Sequence, residues 1–92
     1  MNLDEYPQKI FDAGEAWTKA VTVHDLKKLE LEGHQASKYL RFKASDPKAS
    51  IPQLEAMIDS DESNIALETA LIHCKADVEL AKLKYEFLAH YY

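Results

Sequence analysis

A chain of 92 residues holds enough material for one small domain. Its 47% apolar and 29% charged residues suit a folded helical protein and exclude a disordered one, while a net charge of −5 excludes indiscriminate nucleic-acid binding without a local basic face. No run nears the roughly 18 apolar residues of a membrane span, Asp4 and Glu5 do not begin a secretory signal, and the lone Cys74 allows no internal disulfide and suits a reducing cytoplasm.

Pro7 reads as a first-turn proline of an N-terminal helix. From there to about Lys43 the apolar residues follow a helical rhythm in two sets. The first is Ile10, Ala13, Trp17 and Val21; the second is Leu26, Leu29, Gly33, Ala36 and Leu40. The sets differ in phase, because the first would place apolar residues where His24 and Lys28 stand. Thr22-Val23-His24-Asp25 between them looks like a capping signature and carries a β-branched pair. The helix therefore either stays continuous with a gentle distortion, the favoured reading, or breaks near Thr22.

Residues 44–50 form the turn. Asp46 before Pro47 disfavours helix, and Ser50-Ile51-Pro52-Gln53 reads as a fresh start with a capping box. The second arm is predicted over residues 51–90. Weak helix formers at 59–64 threaten it, yet Ile58, Ile65 and Ile72 recur every seven residues and argue that it continues. Along it runs a ladder on a 4-3-4-3 spacing: Leu67, Leu71, Cys74, Val78, Ala81, Tyr85, Leu88, Tyr92. That is the seam of a helix that packs on another helix.

Two arms of similar length joined by a short turn make an all-α helical hairpin, one domain spanning 1–92, with arm one at about 7–43. Facing residue numbers are expected to total about 94, which sets Trp17 near Val78, Leu26 near Leu67, Leu29 near Ile65 and Leu40 near Leu54. Residues 26–48 carry six basic and three acidic side chains, residues 55–68 five acidic and none basic, and the hairpin brings these stretches together. Exposed pairs contribute only about 0–1 kcal/mol each, but their sum favours the antiparallel arrangement.

The second arm holds more apolar residues than one seam uses: Ile58, Ile65, Ile72, Leu80, Leu83 and Phe87 lie beyond the ladder. A lone hairpin would leave these exposed, so a homo-oligomer, with a four-helix bundle as the simplest closed form, is expected. A break at Thr22 would instead permit a monomeric three-helix bundle. The interface residues are Leu67, Leu71, Val78, Tyr85 and Leu88, faced by Trp17, Leu26 and Leu29.

Chemistry is sparsely written. Cys74 lies inside the apolar ladder, the place of an inert thiol. His24, His34, His73 and His90 are scattered without metal-ligand spacing, and Asp59, Asp61 and Glu62 lack the glycine and terminal glutamate of a calcium loop. No glycine-rich phosphate loop is present. The expectation is a non-enzyme without metal or cofactor. Lys38, Arg41, Lys43 and Lys48, interleaved with Tyr39 and Phe42, could contact nucleic acid. Their alternative role is a solvated elbow neutralised by Glu55 and Asp59. Asp59, Asp61 and Glu62 could form an acidic face for a basic partner protein.

Lys38-Tyr39-Leu40, then Lys48-Ala49-Ser50-Ile51-Pro52-Gln53-Leu54-Glu55-Ala56-Met57, then a helix ending in Tyr85-Glu86-Phe87-Leu88 resembles small helical-hairpin proteins of tailed bacteriophages. Those proteins are often encoded in early replication and recombination gene clusters. The likeness is compositional and covers residues 36–90; Ile51-Pro52 and the 59–64 cluster depart from it. It implies a phage accessory protein of the host cytoplasm that binds other proteins or assists DNA handling, with no catalytic residue to carry over. A protein-interaction module is thus the first reading. A nucleic-acid-binding accessory factor and an acidic inhibitor of a host or defence protein are the alternatives.

Overall fold

The computed structural model describes residues 5–91. They form three helices: α1, Tyr6–Ser45; α2, Ile51–Asp59; and α3, Glu62–Tyr91. Among the described residues there is no strand, and α1 and α3 pack against each other as a helical hairpin. Two compact units can be distinguished: the chain up to Asp25 with the chain from Ile72, and Leu26–Leu71.

Helix α1 is continuous through Thr22, as the favoured sequence reading had it. The reason is local. The Thr22 hydroxyl donates backward to the Thr18 carbonyl at 3.0 Å, and Thr18 does the same to Gly14, so neither competes for the forward amides that a cap would use. The turn also forms as expected. Ser50 caps α2 and the reciprocal Gln53 bond closes the capping box, with Pro52 in the first turn. Lys43 closes the elbow by donating to the carbonyls of Pro47 and Ala49 at 2.9 and 3.1 Å.

The second arm is not continuous, contrary to the inference from the isoleucine spacing. Ser60 ends α2, its hydroxyl donating to the Ala56 carbonyl at 3.0 Å and its amide to the same oxygen at 3.1 Å. Asp61 opens α3 by accepting from the Asn64 amide at 2.9 Å. The interruption shifts the phase. Ile58 is buried while Ile65 and Ile72 are exposed.

In the first unit α1 presents Ile10, Ala13, Trp17 and Val21 to the ladder on α3, whose Val78, Ala81 and Tyr85 are half-buried and whose Leu88 is buried. Gly14 sits where alanine would place its Cβ 3.3 Å from Tyr85 Cε2. A glycine inside a helix costs about 1 kcal/mol relative to alanine; here it admits a ring. Trp17 rests on that ring, centroids 5.4 Å apart.

The second unit is closed by α2. Leu54 is fully buried and Ile58, Ala49 and Leu31 nearly so, each large aliphatic contributing roughly 1.5–3 kcal/mol. In this unit the inward line of α1 is Lys27, Leu31, His34, Lys38 and Phe42, all buried or half-buried. The second apolar set is turned outward: Leu26, Leu29 and Leu40 are 61, 65 and 69% exposed. The expectation that Leu26, Leu29 and Leu40 face Leu67, Ile65 and Leu54 is therefore overturned. The facing numbers total 99 for Gly14 with Tyr85 and for Lys38 with Asp61, and 95 for His34 with Asp61, at or a little above the expected value.

Candidate functional site

The densest polar arrangement lies in the second unit, on the inward line of α1. His34 Nε2 is 3.1 Å from Asp61 Oδ2, and Lys38 Nζ is 3.3 Å from Oδ1. The same Oδ2 caps α3 through the Asn64 amide. One carboxylate thus terminates a helix and ties it to α1. These bonds hold the Asp61 carboxyl below the ordinary value of 3.8; the His34 contact is the largest cause, then the Asn64 amide, with Lys38 adding to them and burial opposing. Asn64 beside it is fully buried and donates to Glu68 at 3.2 Å, while its Oδ1 has no hydrogen-bond partner. The group is a structural clasp: it sets one carboxylate against the Lys38 ammonium and the His34 ring.

The clasp redistributes the residues expected at a basic elbow and an acidic face. Lys38 is committed to Asp61, and Lys43 to the turn carbonyls. Arg41 and Lys48 remain exposed. Of the acidic set, Asp61 is turned inward, which corrects its placement on a partner-facing surface, whereas Asp59 and Glu62 are exposed. The sequence could not show the clasp, because His34 lies 27 and Lys38 23 positions from Asp61, which reads as one member of an acidic run.

The apolar residues expected at an interface divide in two. Trp17, Leu67, Leu71, Val78, Tyr85 and Leu88 are half-buried or buried, against helices of the same chain. Leu26 and Leu29 are exposed instead. The uncovered surface lies on the opposite faces of the two long helices. In the first unit α3 shows Ile72, Leu80, Leu83, Phe87 and Tyr91, each 59 to 68% exposed, with the Phe87 and Tyr91 rings 4.7 Å apart. In the second unit α1 shows Leu26, Leu29 and Leu40.

No protein-family model, curated protein or solved structure matches this chain. Its surfaces must therefore be read from their own chemistry. Among the described residues no three His, Cys, Asp or Glu side chains are grouped to hold a metal ion, and no helix is long and apolar enough to cross a membrane. Cys74 is half-buried on the α3 ladder. An open groove in the first unit, between Pro7, Ile10, Phe11, Gly14, Trp17 and Tyr85, is walled by apolar and aromatic groups.

Proposed function

We propose that this chain is a non-enzymatic, self-assembling protein-interaction module. The observation that carries the reading is the pair of outward apolar faces, one on α3 and one on α1, each built of leucines and other large residues more than half exposed. Isolated exposed leucines are ordinary on a protein surface. Aligned rows of them on helices whose inward faces are already occupied mark association surfaces. The reading agrees with a small accessory protein of the phage type that the sequence resembles.

Sedimentation equilibrium across a wide concentration range tests it. The expected result is a mass rising above the 10.5 kDa of one chain, with a matching loss of apolar-dye binding as the faces are covered. A single chain at every concentration, with no dye bound, would refute it.

Nucleic-acid contact through the elbow is the weaker reading. Two of its four cations, Lys38 and Lys43, are already engaged within the chain. Binding with a steep salt dependence, lost on Arg41→Glu with Lys48→Glu, would promote it.

A further inference from the structure

The outward face of α1 in the second unit carries a glycine that the fold of one chain does not explain. A Cβ added at Gly33 would meet nothing within 4 Å, whereas at Gly14 the space is filled by Tyr85. Glycine weakens a helix interior unless something approaches its backbone closely. Gly33 lies in the middle of Leu26, Leu29, Gly33, Ala36 and Leu40, a 3-4-3-4 series that is exposed at every position. Such spacing is a helix-pairing seam, and small residues at its centre let two backbones come close.

We propose that this stripe docks a second copy of the chain, α1 against α1 and antiparallel. The inference rests on the assembly reading and names its surface and partner. Two properties select a second copy over an unrelated helix. An isologous pair needs a patch that complements its own image under a two-fold rotation, and this one does. Turned end for end, Leu29 meets Leu40 of the second copy and Gly33 meets Ala36 of the second copy, with the reciprocal contacts completing four layers. The small residues meet at the axis and Leu29 and Leu40 close both ends, while Leu26 lies outside the four layers, opposite Lys43 of the second copy.

Charge provides the second property. The stripe is flanked by Glu30 and Glu32, with Lys28, in its N-terminal half and by Arg41 and Lys43 in its C-terminal half, all exposed; Glu30 already pairs with Lys27 and Lys43 with the turn carbonyls, so Glu32 and Arg41 are the charges left for a second copy. Antiparallel docking sets acid beside base at both ends; parallel docking would set like beside like. Glu32 and Arg41 have no ion-pair partner among the described residues. The outward face of α3 in the first unit lacks this pattern, because acids and bases are mixed along its length and no glycine lies at its centre.

Sedimentation of the full chain tests the seam with Gly33→Gln, which introduces a good helix former and a bulky polar group where one chain leaves open space. Helicity by circular dichroism should be kept or raised, and dimerisation should weaken by roughly tenfold or more. Leu80→Gln on α3 should leave the first association step unchanged. Dimerisation that is insensitive to Gly33→Gln but lost with Leu80→Gln would overturn the seam and leave the assembly reading standing. A wild-type chain that never associates would overturn both.

Direction is tested by disulfide formation in a Cys74→Ser background, mixing chains carrying Leu29→Cys with chains carrying Leu40→Cys. Unlike chains should cross-link. Bonds between like chains alone would overturn the antiparallel arrangement.

Discussion

Replacing Leu31 with alanine should destabilise the protein far more than replacing Leu29. The two leucines stand two positions apart on α1 and point to opposite sides, 8% and 65% exposed. At a site so thoroughly removed from water, Leu→Ala costs about 2–4 kcal/mol, the lost transfer energy plus the cavity left behind. Since about 1 kcal/mol moves the melting temperature of a domain this size by roughly 4–8 °C, Leu31→Ala should lower Tm by about 10 °C or more. Leu29 keeps two-thirds of its surface in water, so its truncation should cost below about 1 kcal/mol, and the helix propensity of alanine offsets part of that. Thermal and urea unfolding followed by far-ultraviolet circular dichroism, in protein dilute enough to be monomeric, measures both. Equal losses for the two variants, or a larger loss for Leu29→Ala, would refute the orientation of α1 in the second unit.

Acid should loosen the second unit through Asp61. Its carboxyl titrates lower in the folded chain than in the unfolded one, so the unfolded chain takes up the proton first as pH falls. The stabilisation is complete above the ordinary value of 3.8 and is lost progressively below it; urea titrations across that range should show the decline, and Asp61→Asn should flatten it. Ser50→Ala removes the capping box of α2 and should cost about 0.5–2 kcal/mol in chemical unfolding. Gly33→Ala should stabilise the dilute chain by up to about 1 kcal/mol. Gly14→Ala should gain less by the same assay, because its Cβ must displace a Tyr85 ring already packed on Trp17.

The parts of this fold that were legible in the sequence are those set by nearest neighbours and by one unambiguous rhythm. The α3 ladder is the row that keeps the 4-3 spacing without a gap, and it does face inward from Leu67 to Leu88, while Ile72, Leu80, Leu83 and Phe87 face outward. Ser50 and Gln53 stand at capping-box spacing, and the box forms. Where the sequence carries two stripes the pattern cannot choose between them. On α1 the set Leu26, Leu29 and Leu40 is more apolar than the line through Lys27, His34 and Lys38, yet the latter faces in. The decision lies in a contact distant along the chain, an aspartate able to receive both His34 and Lys38. The isoleucine spacing misled because a period of seven survives a two-residue interruption in the letters but not in space.

Asn64 carries one further consequence. Its buried side chain has an oxygen that no donor reaches, a liability that an apolar residue would not have. Yet the rung it shares with Asp61 acts as a peg. Sliding α3 along α1 by one heptad would carry Asp61 away from His34 and Lys38, leaving charges stranded at cost in the opposite wall. Apolar rungs alone tolerate such slippage, since one leucine replaces another at little penalty. The polar rung favours the observed alignment of the helices in that unit over a slipped one.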